Sequence, residues 1–475
     1  MVRKIGKITG FTILIYVLYV IVTAFLLFTF SSPLEGDLTV EVVERQDLST
    51  NDRVVLVQDR VESGLARIQL IQQADKSIDV SSYAIQKGEY ADMFVGALFE
   101  AADRGVQVRI ILDGIVNQFN RDFNQVSYAM EEHPNMAIKF YEPLNIWMPW
   151  TWNNRYHDKL LIIDGEMVML GGRNIGDRYF SPEGTAKATN DRDVIVIHSN
   201  QEVEAKSVLT DISNYYQKTW DHEFTKPAVK NVTSRNREKG QLREKQVRKI
   251  YQQAVAQDQK LQEKVDWLAN SYPANSITFL HNPLERWNKQ PLIWQALIKQ
   301  LDQASGIVYM ESPYIIPTNK MLSYLDEYNI EVDKMRLMTN SFASTPNSVA
   351  FSGYYPNRRE IAAYSESLYE YQSNKESLHG KTYIFDEQIS MVGSFNLDSR
   401  SAFLNTEVML LIDSEPFAKH LQAEIDKAME HKSLLVLADG SYQADSEVKE
   451  AEVSKWKEFK IKALSYVSRL FAHLL

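Results

Sequence analysis

Residues 156–174 read YHDKLLIIDGEMVMLGGRN, and residues 378–396 read LHGKTYIFDEQISMVGSFN. His157, Lys159, Asp164, Gly171 and Asn174 return as His379, Lys381, Asp386, Gly393 and Asn396, each 222 residues later. Most of the residues between them are rewritten, so the repeat preserves chemistry rather than packing. With average usage near 5%, matching these five positions by chance is about a 3 × 10⁻⁷ event per site.

Residues i and i+2 of a strand share a face, so His157 should project with Lys159 and His379 with Lys381. Asp164-Gly165 fits a two-residue hairpin turn, which predicts Ile163 opposite Glu166 and Gly172 opposite His157. The same register puts Ser394 opposite His379, so a small residue faces each histidine. Asp164 and Asp386 stand at the hairpin tips, where turn formation and a part in the site are both open. Two imidazoles, two ammonium groups, two amides and a hydroxyl suit a phosphate group. Lysines supply positive charge, and Asn174 and Asn396 can donate to phosphate oxygens. A neutral imidazole can attack phosphorus and a protonated one can protonate the departing oxygen. Neither histidine can do both in one step, so two copies meeting face to face would complete the reaction.

Working outward, residues 61–113 alternate helix, strand, helix, strand: GLARIQLIQQAD, SIDVSSYAI, ADMFVGALFEAADRG and VQVRIILDG. The order returns at 292–340 with LIWQALIKQLDQA, GIVYMESPYII, NKMLSYLDEYNI and KMRLMTNS. After each histidine motif comes another strand, DVIVIH and EVMLLID, then a helix near 201–220 and near 415–432. This predicts a duplicated α/β unit. Expected boundaries are an anchor at 1–33, a first half at 34–225, a basic helical linker at 226–270, a second half at 271–432 and a tail at 433–475.

The 475-residue chain has a net charge of −10 and no cysteine. Composition therefore excludes disulfides, thiolate catalysis and cysteine-ligated zinc, and argues against broad attachment to nucleic acid. A basic cluster at 226–249 could instead attract anionic lipid headgroups or lie in a solvated linker. Ile8 to Phe30 is long and apolar enough to cross a bilayer, which takes about 20 residues. Arg3, Lys4 and Lys7 precede it, and Glu35, Asp37, Glu41 and Glu44 follow, which predicts a cytoplasmic N-terminus and an extracytoplasmic body. A cleaved export signal is the alternative, and it too exports the body. Trp147, Trp150 and Trp152, and the amphipathic segment VSKWKEFKIKALSYVSRLFAHLL, fit either core packing or a membrane interface.

The doubled HxKxxxxD motif, each followed by GG or GS, x, Asn, resembles the phospholipase D superfamily over roughly Arg60 to Lys432. Within it, GGRNIGDRYF and MTNSFASTPNSVAFSGYYPNRREI are similar to the short bacterial cardiolipin synthases of the C-type branch. The resemblance implies two α/β/α halves packed about a pseudo-twofold axis, behind an N-terminal transmembrane helix. It implies one site without metal or other cofactor, with His157 as nucleophile and His379 as acid and base. Lys159 and Lys381, with Asp164 and Asp386, complete the motifs. Asn174 and Asn396 match phosphate ligands, and Gly172 and Ser394 the small positions. Glu407 matches an acid that orients a histidine, and Asp193 opens the corresponding strand in the first half. The implied activity is phosphatidyl transfer in a bacterial membrane, from phosphatidylglycerol or another anionic phospholipid to a second lipid. A hydrolytic phospholipase D, a nuclease of the same superfamily and a non-catalytic lipid-binding scaffold are the competing readings.

Overall fold

The computed structural model describes residues 2–33, 50–117, 121–199, 207–326, 328, 330–444 and 446–475. Glu35, Asp37, Glu41 and Glu44, used above to orient the chain, lie outside them. The apolar stripe of Glu89–Asp103 explains the first layer. Ala91, Phe94, Val95, Leu98 and Ala102 fall on one helical face and are buried against the sheet. The helix stops at Arg104, where Gly105 takes φ 97° at no steric cost. Strand Gln107–Asp113 follows, apolar on both faces along Ile110, Ile111 and Leu112, as a central parallel strand must be.

Among the described residues there are two large sheets, of nine and eight strands. In the first, Ser77–Ser82, Gln107–Asp113 and Met136–Tyr141 run parallel. On the other side of Ser77–Ser82 come Leu160–Ile163, Met167–Gly171, Asp193–His198 and Asp52–Val57, all antiparallel to their neighbours. The second sheet repeats this order. Val308–Glu311, Met335–Asn340 and Ser367–Tyr371 are parallel, and Thr382–Phe385, Ile389–Gly393, Val408–Asp413 and Ser276–His281 are antiparallel. The duplicated α/β unit is therefore present. Ser433–Leu435 adds an edge strand beside Ser367–Tyr371, so the second sheet reaches beyond residue 432. Within the repeat, NKMLSYLDEYNI yields only the short helix Asn319–Leu322 and a 3₁₀ turn, Ser323–Leu325.

The sheets face each other across helices Val208–Asp221 and Glu415–Lys432. Val168, Leu170 and Val194 of the first sheet share one core with Val392, Leu410 and Ile412 of the second and with Ile212 and Leu421. Each such side chain contributes roughly 1.5–3 kcal/mol by leaving water. At the seam, Glu376–Leu378 pairs in parallel with Ala188–Asn190, and Tyr156 bridges to Thr406. Two ion pairs cross nearby: Arg192 to Glu311 at 2.5 Å and Arg60 to Glu376 at 3.0 Å.

The basic segment is not a free linker. Helix Ser234–Gln257 packs on Glu89–Asp103 and Arg121–Glu132, with Arg243 paired to Asp92, Arg248 to Asp103 and Arg237 to Glu132. Three of its arginines are thus answered by carboxylates of the first half, while Lys226, Lys230, Arg235, Lys245 and Lys249 are exposed. At the N-terminus, Lys7–Phe30 forms one helix long and apolar enough to cross a membrane, with a π-helical turn at Val22–Leu26. Its last turns are embedded: Ala24 and Phe28 are buried, and Phe28 lies 5.5 Å from Trp287.

Candidate active site

The two hairpins do not take the register read from sequence. Ile163 pairs with Met167 and Phe385 with Ile389, so each turn holds three residues rather than two. Asp164 and Gly165 adopt φ 57° and 71°, and Asp386 and Glu387 adopt 52° and 55°. Gly172 and Ser394 are thus not the cross-strand partners of the histidines. The turns are held from outside the hairpins. Asp164 accepts from the backbone N–H groups of Asp75, Lys76 and Ser77 at 2.7–2.9 Å, and Asp386 from those of Ser305 and Gly306. Both aspartates sit at the hairpin ends away from the histidines. The expectation that they act in catalysis is corrected: they fasten the turns.

The histidines lie just before their strands, at the seam between the halves. His157 N–H donates to Thr406 Oγ1 at 3.0 Å, and His379 N–H to the Asn190 carbonyl at 2.7 Å. Each ring then meets the carboxylate that follows its backbone partner, on the opposite half. His157 Nδ1 lies 2.9 Å from both oxygens of Glu407, and His379 Nδ1 lies 2.5 Å from Asp191 Oδ2. Facing a carboxylate, each Nδ1 is placed to donate, which leaves each Nε2 for chemistry; Lys381 Nζ also stands 2.7 Å from His379 Nδ1. Glu407 also accepts from Ser394 Oγ at 2.5 Å and from Asn405 Nδ2 at 3.2 Å. Gly172, the counterpart of Ser394, serves differently: a Cβ there would lie 2.6 Å from the Asp191 carboxylate. The small residue makes room for the acid.

Asp193 is not the partner of a histidine. It is fully buried and binds Arg67 at 2.8 Å, Arg173 at 2.6 Å and Ser63 Oγ at 2.6 Å. Sheet register explains the correction. Gly171 pairs with Asp193 and Gly393 with Met409, so Asp193 corresponds to Met409, and Asp191 corresponds to Glu407. Aligning VIVIH with LLID, instead of matching the first acid of each strand, would have found Asp191. Sequence reading also missed Tyr83 and Tyr179, whose rings stand edge-on to His157 and His379 at 5.0 and 5.9 Å.

The lysines fold back over their own histidines. Lys159 Nζ donates to the His157 carbonyl at 2.5 Å, and Lys381 Nζ donates to that of His379 and lies 3.7 Å from Asp191. Asn174 Nδ2 donates to Tyr179 OH at 3.0 Å and Asn396 Nδ2 reaches Ser401 Oγ at 3.3 Å, again residues 222 apart. The remaining amide oxygen of each is buried without a partner among the described residues.

Burial and two nearby ammonium groups keep both imidazoles neutral. His157 is held well below its ordinary range by desolvation, then by Lys159 and Lys381. Desolvation and Lys381 bring His379 to about 3. The crossed contacts of His157 with Glu407 and of His379 and Lys381 with Asp191 bring the two motifs together at the seam. Burial brings Lys159 down to about 7. The carboxylates differ. Burial would raise Asp191, but Lys381 and His379 outweigh it and hold it at about 2, whereas burial lifts Glu407 to about 7.

Fold and site together define an enzyme with a duplicated histidine–lysine centre. Residues 67–220 and 297–429, more than half of the chain, match the family model described as "Cardiolipin synthase, PLD-like domain". The chain belongs to this phospholipase D-like family, and is an enzyme of the phospholipase D superfamily. Among its relatives, a Helicobacter pylori protein is 28% identical over 425 residues, spanning 80% of each chain. Cardiolipin synthase C of Escherichia coli is 25% identical over 76% of this chain and 83% of its own. A cardiolipin synthase of Staphylococcus aureus is 25% identical over 80% and 68%. The crystal structure of Haemophilus influenzae phosphatidylserine synthase shares the fold, with a TM-score of 0.63, 15% identity, and coverage of 90% of this chain and 97% of its own.

Proposed function

We propose that the chain is a membrane-anchored phosphatidyltransferase that makes cardiolipin. In this reading Nε2 of His157 attacks the phosphorus of phosphatidylglycerol as the bond to the glycerol oxygen breaks. His379, protonated at Nε2, gives its proton to that oxygen, and glycerol leaves. The headgroup hydroxyl of a second phospholipid then returns its proton to His379 and attacks phosphorus, breaking the P–N bond to His157. Lys159 and Lys381 balance the charge on the phosphate oxygens, and the amides of Asn174 and Asn396 lie beside the same group.

The observation that carries this reading is the crossed pairing of His157 with Glu407 and His379 with Asp191, which leaves both Nε2 atoms open. It also supports the division of labour. The residue that must carry a proton stands beside Asp191, the firmly ionised carboxylate, and arrival of an anionic phosphate favours its imidazolium form. The relatives named as cardiolipin synthases support the choice of lipid. The apolar helix supports an anchor, with the N-terminus in the cytoplasm and the body outside.

Vesicles containing the full chain and labelled phosphatidylglycerol should yield cardiolipin and glycerol. Phosphatidic acid as the main product would make the enzyme a hydrolase, and cut DNA with intact lipid would make it a nuclease. His157→Ala and His379→Ala should each stop turnover, and a quenched reaction should hold phosphorus on residue 157. An adduct found only at residue 379 would reverse the two roles. Labelling of the body from outside intact cells tests the orientation, which full protection would overturn.

A further inference from the structure

The apolar helix and the body are joined lower down than a simple tether would be. Tyr16 OH donates to the Ile146 carbonyl at 2.9 Å, and Tyr19 OH to the Trp147 carbonyl at 2.8 Å. Asn153 Nδ2 donates to the Ala24 carbonyl at 2.7 Å. Tyr19 lies only twelve residues after Lys7, a rise of ~18 Å along the helix. With Lys7 at one edge of a hydrocarbon layer about 30 Å thick, Tyr19 is still roughly 12 Å short of the other edge. Tilting the helix shortens the projected rise and leaves Tyr19 deeper. Side chains lean toward the helix N-terminus, so the tyrosine hydroxyls reach no closer to the far side. A loop bound to those hydroxyls therefore lies below the membrane surface.

That loop has the chemistry for such a place. Leu144, Ile146 and Trp147 are exposed, Trp147 at 73%. Four of its backbone polar groups are answered internally. The Ile146 and Trp147 carbonyls take the tyrosine hydroxyls, the Asn145 carbonyl takes Trp152 Nε1, and the Trp147 N–H finds Asn145 Oδ1. Non-helical backbone tolerates a lipid environment only when its hydrogen bonds are met by protein.

The C-terminal helix Lys455–Ser468 adds a second, separate sign. It rests on Ser348–Tyr354 through Ile461, Ser465 and Ser468, a face poorer in apolar residues than the one it turns outward. Outward stand Trp456, Phe459, Tyr466 and Leu470, at 62–79% exposure, among the exposed Lys455, Lys460, Lys462 and Arg469. This polarity is the reverse of a helix packed on a core in water and suits the boundary between acyl chains and anionic headgroups. His473, just beyond, meets Thr29 at 2.9 Å, which brings the end of this helix to the level where the anchor leaves the bilayer.

We propose that the body is partly submerged in a phospholipid bilayer, with residues 144–147 in the hydrocarbon of the nearer leaflet and the outer face of Lys455–Ser468 in its headgroup layer. This rests on the anchor reading above. The loop that enters lipid runs on through Asn153 and Arg155 to His157, so the catalytic histidine is tied to the part of the chain that dips into its substrate.

The chain has no cysteine, so single cysteines can carry an environment-sensitive fluorophore. Full-length Leu14→Cys, Ile146→Cys, Trp147→Cys, Tyr466→Cys and the exposed control Glu430→Cys would be labelled and reconstituted in phosphatidylethanolamine–phosphatidylglycerol vesicles. Labels at 14, 146 and 147 should lose fluorescence to bromolipids and resist aqueous iodide, and the label at 430 should do the opposite. The label at 466 should respond to a headgroup-attached quencher. A label at 14 shielded from iodide with those at 146 and 147 open to it would overturn the submersion and leave the anchor intact. Iodide access at 14 would instead overturn the anchor, and the submersion with it. A label at 466 that answers only to iodide would remove the helix from the contact.

Discussion

Asp191 and Asp193 are separated by one residue, are both buried, and should fail in opposite ways when neutralised. Asp191→Asn keeps the size of the side chain but removes the charge that orients His379 and stabilises its imidazolium. An amide in the place of a carboxylate beside a catalytic histidine costs about 10⁴ in turnover, or ~5.5 kcal/mol of barrier. Here kcat should fall by roughly 10³–10⁴, while melting temperature falls less than for Asp193→Asn, since the counter-charge lost is the single, longer contact to Lys381 at 3.7 Å. Asp193→Asn leaves the guanidinium groups of Arg67 and Arg173 in the core without a counter-charge. Breaking a buried pair in this way costs about 3–5 kcal/mol, which for a half of this size lowers Tm by on the order of 10 °C. The protein that stays folded should turn over nearly normally. Lipid transfer would be followed in vesicles well below both transitions, alongside thermal unfolding of each variant. A stable, inactive Asp193→Asn with a fully active Asp191→Asn would refute the assignment of the first-half acid.

Other expectations follow from the same geometry. Because burial lowers Lys159 to about 7, it loses its charge as pH rises through that value, and kcat/KM should fall on the alkaline side from near pH 7. The limb in kcat should lie higher, since a bound phosphate favours the ammonium form, and coincident limbs would argue against phosphate contact. His379 stays neutral in the fold down to about 3, whereas the unfolded chain takes up its proton near ~6.5. The unfolded state holds the extra proton between those values, so this term of stability falls as pH drops below about 6.5, measurable by denaturant titration. Gly380→Ala would set its Cβ 1.9 Å from Glu311 Oε1, which Arg192 pins, so vesicle assays should show loss of transfer from displacement of the second motif. Gly96→Ala would press within 2.4 Å of the Val247 carbonyl and prise off the basic helix, lowering unfolding free energy by about 1–3 kcal/mol with turnover retained.

The repeat and the order of elements along the chain were legible because they are written in residue identity at fixed spacing, and the resemblance marked Glu407 as an acid beside a histidine without saying which one. What escaped depends on distances that spacing does not encode. A three-residue turn differs from a two-residue one only in backbone torsion, and Asp164-Gly165 permits both. Six more residues separate Asn174 from Asp191 than Asn396 from Glu407, and this longer stretch includes the three-residue strand Ala188–Asn190, whose pairing partner lies in the other half, so nothing local marks Asp191 over Asp193. The cluster at 226–249 read as free charge because its acids, Asp92, Asp103 and Glu132, lie more than a hundred residues earlier.

The exchange of carboxylates across the seam makes the folded whole the smallest reactive object. A chain with only its first half assembled presents His157 without Glu407, and Asp191 without a ring to hold. In the proposed reaction, such a fragment would carry the nucleophile without tautomer control or a proton donor. A newly made polypeptide would therefore stay inert toward phosphodiesters in that reaction until its last sheet closes.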